Sequence, residues 1–311
     1  MTSAQTPMPD ATKVVDSMEQ MSAGPYEGQR RSSARGFCCT GTFTPTGDAA
    51  PLTTAAHLQH QPVPVTVRFS NSDGNPHVPD GAPVTRGMAV RFHLPDGAET
   101  DLLGITVPLF VASTPPEFLA LTQALRPNPV TGHPDPAEVH AFVAEHPHLA
   151  SAVAQQPPIP VSYGRAAYWA IHAFVWVDDA GRRQPVRYRW EPASGRASLS
   201  AQDAASRAPG YLTQEFQQRL QDGPVAFTLQ VQLGEAGDPT HDPTVAWPDT
   251  RKELTVGHLE LTAPVVDQSH WSEQRFDPTR ITSGIELSDD PVLAFRTHAY
   301  AESFHRRSRH G

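Results

Sequence analysis

The sequence predicts an α+β domain dominated by strands, an antiparallel barrel with a few helices around it. Three observations lead there. Strand-like runs fall at 66–71, 88–94, 104–112, 170–177, 186–190, 225–232 and 254–261, against helix patterns only at 115–125, 136–145, 211–221 and 291–307. The run Ala226-Phe227-Thr228-Leu229-Gln230-Val231-Gln232 alternates apolar and polar residues, as suits a wall packed on one face. Thirty-two prolines among 311 residues, with a hydrophobic share of 38%, favour short elements and ordered loops over a helical bundle.

Taken in order, residues 1–24 read as a flexible N-terminal arm and residues 25–311 as one domain. Cys38 and Cys39 are adjacent, and bridging neighbours strains the disulfide geometry, so no structural disulfide is expected. Asp179-Ala180-Gly181-Arg182 is a hairpin signal between two strands. The last helix has the clearest start: Asp290 supplies a side-chain acceptor at the N-cap and Pro291 opens the first turn. There is no internal repeat and no low-complexity segment.

Charge and hydropathy exclude several partners. A formal net charge of −9 argues against nucleic acid and against an anionic membrane surface. No apolar run approaches the roughly 20 residues that span a bilayer, and residues 1–29 lack the apolar core of a signal peptide. A cytoplasmic location is the expectation. No histidine pair has the setting of a zinc site, and neither a phosphate-binding glycine loop nor a serine nucleophile elbow is present.

The most informative chemistry lies on the last helix. Arg296 and Tyr300 are one turn apart on one face. A guanidinium held against a phenol stabilises the phenolate, and a phenolate is a hard anionic ligand suited to ferric iron.

The residues around this pair resemble the proximal haem segment of the catalase superfamily: Gly284-Ile285-Glu286, then Ser288 and Asp290, then Arg296-x-x-x-Tyr300. Further blocks resemble that family in the same order. They are Pro64-Val65-Thr66-Val67-Arg68-Phe69-Ser70, Arg86-Gly87-Met88-Ala89-Val90-Arg91-Phe92, Val107-Pro108-Leu109-Phe110 followed by Pro115 and Phe118, and the 237–248 loop ending Trp247-Pro248. The likeness spans roughly residues 25–308, and the chain length is most similar to that of the small catalase-related peroxidases. The resemblance implies an eight-stranded antiparallel barrel with surrounding helices and haem b between barrel and helices. It implies Tyr300 as the iron ligand and Arg296 as its support. Arg30, Arg35, Arg68 and Arg307 become candidates for the haem carboxylates, with Arg86 a further one, because guanidinium matches carboxylate geometry. Phe118 is expected to stack near the haem, and His172 matches a strand histidine that could support Arg296.

The resemblance breaks where the chemistry would occur. The family's motif Arg-x-x-His-Ala-Lys-Gly, followed by a strand ending Gly-x-Phe, corresponds to Arg30-Arg31-Ser32-Ser33-Ala34-Arg35-Gly36 and Gly41-Thr42-Phe43. Ser33 therefore stands where the distal histidine is expected, and the first histidine of the chain is His57. Thr106 is matched to the asparagine that orients peroxide. Imidazole suits proton transfer at neutral pH, whereas a serine hydroxyl is a far weaker base. The implied function is a haem peroxidase that oxidises an organic donor with hydrogen peroxide or an organic hydroperoxide, weak in peroxide dismutation, working as a monomer or a homodimer. The alternatives are a repurposed haem enzyme that rearranges or dehydrates an O–O or N–O substrate, and a haem-binding protein without turnover.

Overall fold

The computed structural model describes residues 8–308. Ten strands form one sheet: β1 Gly36–Pro45, β2 Val63–Asn71, β3 Arg86–His93, β4 Glu99–Ile105, β5 Tyr168–Trp169, β6 Phe174–Val177, β7 Arg183–Pro192, β8 Val225–Leu233, β9 Glu253–Pro264 and β10 Ile285–Leu287. Eight of them close on themselves in the order β1-β2-β3-β4-β5-β7-β8-β9 and back to β1, every pair antiparallel. Closure pairs every barrel strand on both sides and so leaves no open edge. Strands β6 and β10 extend the sheet beside β7.

The helices are α1 Ala11–Met21, α2 Pro115–Ala124, α3 Pro136–Glu145, α4 Ala150–Val153, α5 Ala201–Ala205, α6 Tyr211–Asp222, α7 Gln268–Glu273 and α8 Pro291–Ser308. Thr114 and Glu117 cap α2 reciprocally. For α8, Asp290 Oδ1 accepts from the amides of Val292 and Leu293, which satisfies two of the donors a helix start leaves over.

The barrel is filled from alternate positions. Val65, Val67 and Phe69 of β2 meet Val90 and Phe92 of β3, Phe43 of β1 and Trp190 of β7 in one apolar core. Phe43 sits edge-on to both Phe92 and Trp190, at 5.2 and 5.9 Å. Gly257 of β9 makes room, since a Cβ there would lie 2.1 Å from the Phe43 ring.

Strand β2 is buried at eight of its nine positions, so its outer face is covered as well. That second covered face is where the helices dock and where the cavity described below lies. Alternation alone does not announce it, because Thr66, Arg68 and Ser70 read as a polar, solvated face.

Several expectations need correction. The arm expected over 1–24 is an α-helix from Ala11 to Met21, capped by Asp10 and packed on α2 and α8; residues 1–7 lie outside the described residues. The strand expected at 104–112 runs instead from Glu99 to Ile105. Pro108 has no amide to give to a ladder and stands just beyond its end. Of the run 170–177 only Phe174–Val177 is strand, as β6; His172 lies in the gap between it and β5, which ends at Trp169. Cys38 and Cys39 are both buried in β1 and both free.

Candidate functional site

Tyr300 ends a continuous chain of polar contacts. Arg296 Nη2 donates to Tyr300 Oη at 2.6 Å, and Arg296 Nη1 meets His172 Nε2 at 2.9 Å. His172 Nδ1 meets Asp290 Oδ2 at 2.6 Å. A guanidinium only donates, so Nε2 is the accepting nitrogen and Nδ1 carries the proton toward Asp290. Burial pushes the His172 pKa down, although Asp290 opposes it, and His172 is therefore the neutral acceptor Arg296 needs. Helix periodicity sets Arg296 and Tyr300 on one face; Asp290, at the start of the same helix, binds the histidine from below.

The Tyr300 side opens on a cavity of about 1650 Å³ including its mouth. One wall is α8, with Val292, Phe295, Arg296, Tyr300 and Ser303; the opposite wall is the outer face of the barrel. Alternation builds that second wall. It presents Arg68, Ser70 and Ser72 from β2 and its extension, Thr85, Gly87 and Ala89 from β3 and its lead-in, and Leu103 and Ile105 from β4. Small residues, Ser70, Gly87, Ala89 and Gly104, stand at its centre. Phe118 stacks on Phe110 at 5.5 Å along one end.

Ser33 lines the cavity with its backbone in the left-handed region, φ 57°. The buried Arg68 fixes this turn by donating to the Ser33 and Ala34 carbonyls at 2.9 and 3.4 Å. Gly36 permits the approach: a Cβ there would come within 2.5 Å of the Arg68 guanidinium carbon. A strained non-glycine backbone held this firmly is the kind of feature that collects at functional sites.

Arginines crowd one end of the cavity. Arg30, Arg68, Arg275 and Arg307 all line it. Arg30 Nη2 donates to the Gln274 carbonyl, while Arg30 Nη1 is buried without a partner. Burial, then the charges of Arg68 and Arg307, push Arg30 down to about 8. Arg307 falls to about 10, again through burial and Arg68. Among the described residues lining the cavity there is no Asp, Glu, Lys or His. Arg275 has Asp277 at 3.7 Å, but Arg30, Arg68 and Arg307 have no carboxylate in ion-pair reach among the described residues; buried like charges so placed are costly, and this end of the cavity suits an anionic group, above all one with two carboxylates. A floor of small residues, a phenol oxygen held by Arg296 and a carboxylate-seeking rim together fit a haem.

Three residues expected at the site stand elsewhere. The Arg35 guanidinium is spent on Asp80 and on the Val78 and Pro209 carbonyls and does not line the cavity. Thr106 points away as well: its hydroxyl accepts from the Arg86 amide at 2.9 Å, and its neighbour Ile105 takes the place on the wall. Adjacent strand residues face opposite sides, so a one-residue difference in matching decides which of the two is at the site. Arg86 is likewise committed to the Asp80, Ala82 and Val84 carbonyls.

Other wall residues escaped sequence reasoning. Helix α1 contributes Val14, Val15, Met18 and Met21. Their i, i+4, i+7 spacing behind Asp10 was a readable helix signal. The helix is tied down by Ser17 to Thr122 at 2.8 Å, Arg31 to Glu19 at 2.5 Å and Arg306 to Asp16 at 2.7 Å. Nothing in the sequence marked Arg275.

A family model described as Catalase matches residues 25–311. The chain is 43% identical over 289 residues to a catalase-related peroxidase of Mycolicibacterium paratuberculosis, covering 92% of this chain and 91% of that one. It is 35% identical over 286 residues to a catalase-related peroxidase of Synechococcus elongatus, covering 91% and 84%. Catalase-2 of Bacillus subtilis is 29% identical over 296 residues, 88% of this chain but 43% of that longer protein.

Proposed function

The chain belongs to the catalase family, whose members bind haem and act on peroxide, and we propose that it is a haem b peroxidase using a hydroperoxide to oxidise an organic donor. The observation that carries this reading is the chain Asp290–His172–Arg296–Tyr300 ending in a cavity rimmed by arginines and, among the described residues, lined by no imidazole. Tyr300 is the residue to hold the iron, and Arg296 the donor that keeps negative charge on its oxygen. Arg30, Arg68 and Arg307 would meet the haem carboxylates, with Arg275 beside them. Bound haem would supply the electrons that cleave the O–O bond.

The protein's own residues set which peroxide chemistry is fast. Dismutation of hydrogen peroxide needs a group that moves a proton between the two oxygens, and losing such a group costs roughly 10²–10⁴-fold. Ser33 and Ile105 supply no such base. The apolar part of the wall, from Val14 and Met18 to Phe110 and Phe118, suits a carbon-bearing hydroperoxide better than water-like hydrogen peroxide. The same lack of a base favours the second reading, rearrangement of an O–O substrate without an external donor.

Steady-state assays at equal haem loading separate these readings. We expect donor oxidation with an organic hydroperoxide and slow oxygen evolution from hydrogen peroxide. Product that forms from a lipid hydroperoxide without any donor would support the rearrangement reading instead. Haem-loaded protein that turns over none of these substrates would overturn both.

A further inference from the structure

The wall facing Tyr300 carries more hydroxyls than its fold requires. Ser70 and Ser72 stand on one face of β2 and its continuation, and Ser70 pairs with Gly87 across the ladder. The Ser72 amide reaches the Thr85 carbonyl at 3.0 Å, which sets Thr85 beside Ser72. Ser33 completes the group from the left-handed turn above. All four residues line the cavity.

Their hydroxyls have no use in the fold. Ser32, next in the chain, does spend its hydroxyl, on the Ser72 carbonyl at 3.0 Å. Among the described residues the hydroxyls of Ser33, Ser70, Ser72 and Thr85 meet no protein partner. Ser70 is only 4% exposed as a residue, and it lines the cavity. Gly87 reserves the space: a Cβ there would come within 2.8 Å of Ser70 Oγ. Buried polar groups are satisfied by protein or by ordered water, and a roomy site with several polar partners holds water.

We propose that Ser33, Ser70, Ser72 and Thr85 hold a chain of water molecules on the cavity wall, and that this chain carries the proton which the missing imidazole would otherwise carry. The proposal rests on the peroxidase reading. A hydroxyl both donates and accepts, so a proton taken at one end of such a chain is delivered at the other without any hydroxyl becoming a strong base. A hydroperoxide gives its proton to the chain from one oxygen. The chain returns a proton to the other oxygen, which departs as an alcohol or water. The proton count is unchanged, and the electrons are those of the peroxidase reaction itself. Such a chain would support peroxide cleavage in a cavity lined, among the described residues, by no His, Asp or Glu.

The test uses haem-loaded protein and a ligand that is not turned over. Hydrogen cyanide must lose a proton to bind ferric haem as cyanide, so its association rate reports proton removal in the cavity. The variant combining Ser70→Ala, Ser72→Ala and Thr85→Val should bind cyanide at least ~10-fold more slowly near neutral pH, and react with hydroperoxide more slowly by a similar factor. Its haem content and ferric spectrum should match the wild type. Thr85→Val alone should show part of the loss, and Thr85→Ser should restore it. Wild-type cyanide rates in the triple variant at full haem loading would overturn the proposal. So would a Thr85→Ser protein as slow as Thr85→Val. A wild type that takes up no haem would overturn the peroxidase reading itself, and this proposal with it.

Discussion

Asp290 holds His172 with one carboxylate oxygen and the first turn of α8 with the other. Oδ2 lies 2.6 Å from His172 Nδ1, and Oδ1 accepts from the Val292 and Leu293 amides at 2.8 and 3.2 Å. One side chain therefore fixes both the helix that carries Tyr300 and the histidine that orients Arg296.

Asp290→Asn should separate these duties. The amide can still cap the helix through its oxygen, but it then turns its NH₂ toward His172 Nδ1, which can no longer donate there. His172 must change tautomer, and Arg296 loses its acceptor. The expected cost is about 1–3 kcal/mol by chemical denaturation, with reduced haem content at equal haem supply. Asp290→Asn protein with wild-type stability and haem content would count against the linked arrangement.

Acid should weaken the fold through its buried histidines. His57 is pushed down to about 3 by burial, with Nδ1 unpartnered inside the barrel, and His172 is lowered by burial in the same direction. Both are neutral in the fold, while the unfolded chain protonates them below the ordinary value of about 6.5. The unfolded state thus binds more protons as pH falls, and stability is lost from about pH 6.5 downward. Between pH 7 and 5 His57 should cost up to about 2 kcal/mol, and His172 acts in the same direction. Urea denaturation at the two pH values checks this, and His57→Leu should lose less on acidification than the wild type. An equal loss in that variant would refute the role given to His57.

Adding a base to the cavity wall should raise peroxide consumption. Ser33→His introduces an imidazole on the cavity wall, and Ile105→Asn adds an amide there. The double variant should consume hydrogen peroxide at least ~10-fold faster than the wild type, measured by oxygen evolution at equal haem loading. Thr106→Asn should bring no such gain, because position 106 faces away from the cavity and holds the Arg86 amide. A larger gain from Thr106→Asn than from Ile105→Asn would contradict the wall described here.

Much of this was legible in the sequence, for physical reasons that differ by region. Alternation in β8 and the Asp290-Pro291 helix start announce themselves locally, and the ordered motifs locate Arg68, Phe118, Tyr300 and Arg307, all of which line the cavity. Arg35 and Arg86 were misjudged because an arginine's reach depends on which loops its backbone faces; both are taken by carbonyls of the 78–84 segment, and Arg35 also by Asp80 and Pro209. Thr106 was misjudged by one residue, which on a strand reverses the face. Helix α1 carried its own cap and apolar spacing but lay in a polar stretch that read as an arm. Arg275 reaches the cavity through packing of remote segments, which no local pattern encodes.

Tyr300 is proposed to bind haem iron as a phenolate supported by Arg296. The most direct measurement is the haem content and visible spectrum of ferric wild type and Tyr300→Phe, prepared with the same haem supply. The wild type should show a phenolate-to-iron charge-transfer band, and Tyr300→Phe should be haem-poor and lack that band. A Tyr300→Phe protein with wild-type haem content and spectrum would contradict it.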